Sequence, residues 1–343
     1  MTLYKLGIDS LGMALSDRDM ETIVGIDVGG TKTAVVEGTC GARILNRREI
    51  LTQARCPFNQ VFPKLAVQVE SVMDDAQRDG RRVAALSVSV GGPLQIDAGV
   101  LDNPPHLPGW HGVRLKDELE NRFPATPVRI EHDGNAGALA EYHFGVGRQS
   151  TDLQHLIFLT LGTGLGAGII VNGCLLRGAS DMAGEVGHLR LSTDGPVGFG
   201  KAGSWEGFCS GAGMLQLARL MFPSQWAEEA TISNLVEAML ADKEEALAVA
   251  YEAGSWLGRG MALLIDALNP EVIVLGSLAV VLGERLLGSA RQTLRVEALP
   301  NALAACRIMP ATLGKQIGDV ASLMAVLNDP QLRERFREHS TVV

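Results

Sequence analysis

Short apolar runs bounded by turn residues recur along this chain. Between them lie longer stretches in which apolar residues return every three or four positions. The first pattern predicts strands over residues 23–27, 33–37, 84–90, 128–131, 156–161, 167–171 and 272–275. The second predicts helices over roughly 64–78, 113–121, 135–144, 212–221, 243–268 and 316–327. Strands alternating with helices predict an α/β architecture. One unit occurs twice. The strand, Gly29-Gly30-Thr31-Lys32, strand arrangement at 23–37 returns as strand, Gly162-Thr163-Gly164-Leu165-Gly166, strand at 156–171. Two matching glycine-turn hairpins predict a duplicated fold with one phosphate-binding loop in each half.

Composition sharpens this picture. At ~150 residues per domain, 343 residues make two domains. Hydrophobic residues at 46% and charged residues at 20% supply ample core. Forty glycines beside only 5% aromatics point to tight turns and close backbone approaches. A net charge of −9 argues against nucleic acid or an anionic membrane as the main partner. A small anion can still be held by backbone amides. Cys40, Cys56, Cys174, Cys209 and Cys306 are scattered singly, which fits a reducing cytosol and buried thiols. The longest apolar runs fall far short of the ~20 residues of a membrane span. Asp9, Asp17 and Asp19 interrupt the N-terminal stretch, so a cytoplasmic rather than secreted protein is expected. Residues 1–21 read as an extension, of which 1–19 lie outside the fold or upstream of a natural start at Met20. Residues 329–343, polar and charged, read as a frayed tail.

The candidate chemistry lies at strand ends. Asp27-Val28-Gly29-Gly30-Thr31-Lys32-Thr33 closes the first strand. Glycines there let backbone N–H groups approach phosphate oxygens and take positive φ, and Thr31 adds a hydroxyl donor. A carboxylate beside a polyphosphate is most simply compensated by a hydrated divalent cation, which makes Asp27 the residue near magnesium. Neither a Walker loop nor a dinucleotide-binding fingerprint is present. In Glu131-His132-Asp133-Gly134-Asn135 a strand gives way to a helix. Asp133 there is either a helix cap or the general base of a phosphoryl transfer. Gly184-Glu185-Val186-Gly187-His188 and Trp205-Glu206 offer two carboxylates and an imidazole, which suit a polyol's hydroxyls or are simply solvated loop charges.

Asp27–Thr33, the run from Asn103 to Trp110, Glu131–Glu141, Leu161–Gly168 and Ala183–Leu189, taken in order, resemble the ROK family (repressor, open reading frame, kinase) of sugar kinases. The resemblance runs from about residue 23 to 326. It implies an actin- and hexokinase-like (ribonuclease H-like) α/β fold, with two domains closing over a cleft: 22–132 with about 315–328, and 133–314. It implies an ATP- and Mg²⁺-dependent kinase acting on the primary (6-) hydroxyl of a hexose, glucose first, and a homodimer or tetramer with a small-molecule sugar as partner. By resemblance, Asp133 is the catalytic base. Gly29, Gly30, Thr31 and Lys32 form the first phosphate loop, and Gly162, Thr163 and Gly164 the second. Gly92, Glu185, His188 and Glu206 line the sugar, and Gly276 shapes the adenine pocket, where Ser277 replaces a usual second glycine.

Two departures stand out. Many members hold a structural zinc with one His and three Cys, in a pattern like C-x-C-G-x-x-G-C-x-E. Here the stretch reads Val197-Gly198-Phe199-Gly200-Lys201-Ala202-Gly203-Ser204-Trp205-Glu206, with no thiolate. A zinc site needs about four good ligands. No zinc is expected, with Val197 and Phe199 replacing the metal by packing. His132 stands where members usually have Asn, so the sugar-facing edge differs. Either His132 keeps the Asn contact, or the substrate is an amino sugar, an N-acetylhexosamine or a cyclitol. The family's DNA-binding repressors carry a helix-turn-helix ahead of the sugar domain, and about 22 residues before the first strand are too few for one. A silent sugar sensor is the remaining alternative.

Overall fold

The computed structural model describes residues 20–150 and 152–332. The expected extension at 1–19 and most of the expected tail, 333–343, lie outside the described residues. The rest divides into two compact units. The first comprises residues 20–150, 177–183 and 315–332; the second comprises 152–176 and 184–314.

The first unit is built on a five-stranded sheet of β1 (Glu21–Val28), β2 (Lys32–Gly38), β3 (Ile44–Leu51), β4 (Arg82–Val90) and β7 (Val128–His132), in the order β3-β2-β1-β4-β7. β1, β2 and β3 pair antiparallel, whereas β1–β4 and β4–β7 are parallel. β1 and β4 are buried almost throughout, as central strands covered on both faces must be. α1 (Phe58–Arg78) sets Phe58, Val61, Leu65, Val69, Val72 and Ala76 on one stripe at helical spacing. With α2 (Leu115–Arg122) it covers one face of the sheet. α3 (Asp133–His143), α11 (Ile317–Ala321) and α12 (Met324–Leu327) also pack on these strands. A small hairpin, β5 (Leu94–Gln95) with β6 (Val100–Leu101), follows β4.

The second unit repeats the arrangement. β8 (Leu156–Leu161), β9 (Leu165–Val171), β10 (Cys174–Leu175), β13 (Val272–Ser277) and β14 (Arg307–Pro310) lie in the order β10-β9-β8-β13-β14. An antiparallel trio is again extended by two parallel strands. The duplication expected from two glycine-turn hairpins thus extends to the connectivity of both sheets. Helices α4 (Trp205–Cys209), α5 (Gly211–Met221), α6 (Ile232–Leu240), α7 (Glu244–Leu268), α8 (Leu278–Leu282), α9 (Glu284–Glu297) and α10 (Pro300–Ala305) belong to this unit. One face of α7 is core. It meets α9 so closely that a Cβ on Gly258 would lie 2.5 Å from the Ala290 carbonyl oxygen. A two-stranded ribbon, β11 (Val197–Gly198) with β12 (Lys201–Ala202), precedes α4.

Three boundaries differ from the sequence expectation. The first unit runs through α3 rather than ending at residue 132, because α3 packs on β4, β7, α11 and α12. Glu21 belongs to β1 and is buried. The described start of the expected tail is folded: Asp329 takes a hydrogen bond from Arg129 Nε at 2.6 Å and caps the N–H groups of Gln331 and Leu332.

Candidate active site

In the first unit the site residues gather where β1, β4 and β7 end, the edge at which ligands sit in parallel α/β sheets. The turn after β1 is held from below by Thr52, just beyond β3. Its hydroxyl donates to the Gly29 carbonyl at 2.7 Å, and its N–H donates to the Thr31 carbonyl at 2.9 Å. Gly29 N–H is spent on the Lys32 carbonyl at 3.0 Å, while the N–H groups of Gly30 and Thr31 take no part in the turn's hydrogen bonds. Neither Gly29 nor Gly30 has positive φ, nor does Gly162 or Gly164. The expectation of left-handed glycines is therefore corrected. What Gly30 requires is room, since a Cβ there would lie 3.0 Å from the His106 carbonyl oxygen. Lys32 Nζ lies 2.7 Å from Glu49 Oε1, so its ammonium is tied to β3.

Asp27 sits one residue before the end of β1, paired across the sheet with Ser89 of β4. Its carboxyl is pushed up to about 7 by burial first, then by the charges of Asp133 and Asp319, against a hydrogen bond with Ser89 and the charge of Arg47. Asp319 of α11, which carries no local sequence signal, acts on this cluster through its charge and takes two 3.1 Å contacts from Arg47 Nε. Such concentrated negative charge fits a cation. Among the described residues no three His, Cys, Asp or Glu side chains gather as a metal site. A hydrated divalent cation would suit this charge, with Asp27 the residue that would hold it.

β7 delivers His132 and Asp133. The N-cap of α3 is His132, whose Nδ1 accepts from Gly134 N–H at 3.2 Å. Asp133 is the first helical residue, so its expected alternative role as cap falls to its neighbour. Its Oδ1 accepts from the same N–H at 2.7 Å, and Oδ2 has no protein hydrogen-bond partner among the described residues. The parallel register sets Val90 beside His132 and so brings Gly91-Gly92 against the pair. A Cβ on Gly91 would lie 3.6 Å from Asp133 Oδ2, and one on Gly92 would lie 2.7 Å from His132 Cδ2. Behind them the buried Glu131 accepts from Asn135 Nδ2 at 3.0 Å and from Arg177 at 2.7 Å. Burial pulls the Arg177 guanidinium down, but the charge and hydrogen bond of Glu131 more than offset this. That ion pair, absent from the sequence reading, seats segment 177–183 on the first unit.

In the second unit, Gly162-Thr163-Gly164 joins β8 to β9. The start of α5 holds this turn: Gly211 N–H donates to the Gly162 carbonyl at 2.8 Å. Among the described residues nothing lies within 4 Å of a Cβ on Gly162. Glu206 is buried in α4, and its Oε2 accepts from Leu165 N–H at 2.9 Å. Gly184 (φ +99°) and Gly187 lay the Glu185–His188 turn on β9, where Cβ atoms would meet the carbonyls of Ala167 and Leu165 at 2.7 and 2.4 Å. Gly276 lies in β13 against the Phe158 ring, which a Cβ would meet at 2.9 Å. Ser277, in place of a second glycine, has φ +54°, and its hydroxyl pairs with Thr160 at 3.0 Å.

The stretch without thiolates forms the β11–β12 ribbon. Phe199 packs edge-on against the His188 ring at 5.5 Å, as expected. Val197 does not pack: the residue is 46% exposed, and Gln216 holds its backbone N–H and carbonyl at 3.0 and 2.9 Å. Val, Phe and Ser at the thiolate positions do not fit zinc.

The chain is 28% identical over 327 residues to a glucokinase of Halalkalibacterium halodurans, which covers 92% of this chain and 98% of that one. It is 27% identical over 286 residues to a putative xylose repressor of Caldicellulosiruptor sp., covering 80% and 70%. Among solved structures, a ROK family glucokinase from Streptomyces griseus in complex with glucose and AMPPNP superposes with a TM-score of 0.75 at 27% identity, over 88% of this chain and 97% of that one. The two five-stranded sheets are therefore those of the actin-like fold of ROK hexokinases. The model of that family matches residues 23–326, all but the two ends of the sequence, and the chain belongs to the ROK family.

Proposed function

We propose that this chain transfers the γ-phosphoryl group of ATP to the 6-hydroxyl of a hexose, glucose before others. The observation that carries the reading is the pair of carboxylates at one sheet edge. Asp133 is held by Gly134 N–H through one oxygen and presents the other, while Asp27 lies partly buried beside Asp133 and Asp319, where a cation would offset the charge. Asp133 would orient the hydroxyl in line and accept its proton late, as charge develops in a loose transition state. Positioned base catalysis of this kind is worth about 10²–10⁴-fold. Gly30 and Thr31 in one unit, and Gly162, Thr163 and Gly164 in the other, are the groups assigned to the nucleotide's phosphates. Magnesium, bound with ATP near Asp27, supplies neutralisation of phosphate charge. Gly92, His132, Glu185, His188 and Glu206 are assigned to the sugar, and Gly276 to the adenine. The reading carries with it a cytoplasmic protein working as a homodimer or tetramer.

A second reading, a kinase for an N-acetylhexosamine, an amino sugar or a cyclitol, is favoured by His132. Its Nδ1 lies 3.2 Å from Gly134 N and 3.4 Å from Asp133 Oδ1, so a ring with two nitrogens stands at the edge of the site in place of an amide. According to its tautomer, such a ring donates to a hydroxyl or acetamido oxygen or accepts from an ammonium, contacts that suit these modified sugars. An ADP-release assay with ATP and Mg²⁺ separates the readings, using glucose, mannose, N-acetylglucosamine, N-acetylmannosamine, 3-amino-3-deoxyglucose and a C7 cyclitol. Highest kcat/KM on glucose supports the first reading, and preference for a modified sugar supports the second. No turnover, together with a sugar-dependent rise in Tm, would replace both with a sugar-binding regulator.

A further inference from the structure

His188 is fixed by a cation. The Lys201 ammonium, on β12, lies 2.9 Å from His188 Nδ1 and 2.9 Å from the His188 carbonyl oxygen. One ammonium thus clamps the imidazole to its own backbone. The positive-φ turn at Phe199 and Gly200 brings β12 back to that position. Phe199 closes the ring from its edge, at an interplanar angle of 84°. An ammonium has only donors. Nδ1 facing it must therefore accept, and the imidazole carries its proton at Nε2. A ring protonated at Nδ1, or at both nitrogens, would set donor against donor.

We propose that Lys201 is a positioning residue. It locks His188 in the Nε2–H tautomer and one ring orientation, so that a fixed donor is offered to a sugar hydroxyl oxygen. The inference rests on the sugar-binding reading of His188. Val197, Phe199 and Ser204 stand at the thiolate positions, and the ammonium fixes the imidazole with no metal ligand from that stretch. The ribbon carrying Lys201 needs no metal for its own shape. Gln216 holds Val197, and the Ser204 hydroxyl donates to the Gly198 carbonyl at 3.0 Å while accepting Gly207 N–H at 3.1 Å.

The test uses the full chain labelled with ¹⁵N-histidine, with the His188 resonances assigned by their loss in His188→Gln. The wild type should show the Nε2–H tautomer in long-range ¹H–¹⁵N spectra, and Lys201→Met a mixture of tautomers. For the sugar turned over best, Lys201→Met should raise KM about 5- to 10-fold with kcat within about 2-fold, the size expected of one charged hydrogen bond near solvent. Lys201→Arg, which restores a donor, should recover most of the loss. An unchanged tautomer with an unchanged KM in Lys201→Met, or an Nδ1–H ring in the wild type, would overturn the proposal. So would a lowered Tm with kcat and KM falling together, which would make Lys201 merely structural. If the wild type phosphorylates no sugar, the kinase reading fails by itself. The tautomer spectra and sugar affinity by calorimetry then decide the role of Lys201 in the same sense.

Discussion

Asp27 is the residue whose environment makes the sharpest thermodynamic demand. Its carboxyl rises from an ordinary 3.8 to about 7, through burial and then the charges of Asp133 and Asp319. At 1.36 kcal/mol per pKa unit, ionising it in the folded protein costs at most about 4 kcal/mol. The side chain lies at the sheet's edge and is only partly buried, so solvent screening reduces this to about 2 kcal/mol. The sign follows from linkage. Because the folded state holds the proton more tightly, folding takes one up between about pH 4 and pH 7. Stability therefore falls as pH rises across that window, and the cost is complete above about pH 7. Asp27→Asn removes the charge while keeping the shape. Without nucleotide or metal it should raise the Tm of the first unit by about 4–8 °C at pH 8 and leave it unchanged at pH 4. Calorimetry in EDTA at the two pH values measures this. No gain at pH 8, or an equal gain at both, would refute the idea of a strained anion poised for a cation.

Other outcomes follow from single contacts. Arg81 makes a paired contact with the fully buried Glu37, at 2.7 and 2.9 Å. Arg81→Met should cost about 3–5 kcal/mol in denaturant unfolding, because it strands a buried charge. Gly92→Ala forces a Cβ onto His132 and should raise sugar KM about tenfold at little change in Tm. Ser277→Gly relieves φ +54° and should leave unfolding free energy unchanged or raise it by up to about 1 kcal/mol, after loss of the hydroxyl contact to Thr160. Elemental analysis of purified protein should find well below one zinc per chain, and a stoichiometric zinc would overturn the account of the β11–β12 ribbon.

Both sheets were legible because their central strands are buried on two faces and read as unbroken apolar runs. β3 escaped because it is an edge strand whose outward positions carry Arg47 and Glu49, and Asn46-Arg47-Arg48-Glu49 reads as loop. β14 escaped because its four residues end in Pro310. α3 begins at Asp133, two residues before the periodicity starts. The His132 ring and the Asp133 carboxylate both take the Gly134 N–H, so the helix begins through a glycine that pattern alone would place outside it. The glycine turns and Asp133 carried local signals. Thr52, Arg177, Lys201 and Asp319 did not, because each acts through a tertiary contact: Thr52 reaches Gly29 across 23 positions, and Asp319 meets Arg47 across 272.

The central claim is that Asp133 serves as base for transfer to a sugar hydroxyl. Asp133→Asn keeps the bulk and the Gly134 contact while removing the basic oxygen. It should bind the preferred sugar within a few-fold of wild type by calorimetry, yet lose about 10²–10⁴ in kcat in the ADP-release assay. A kcat near that of wild type, with sugar binding intact, would contradict the account.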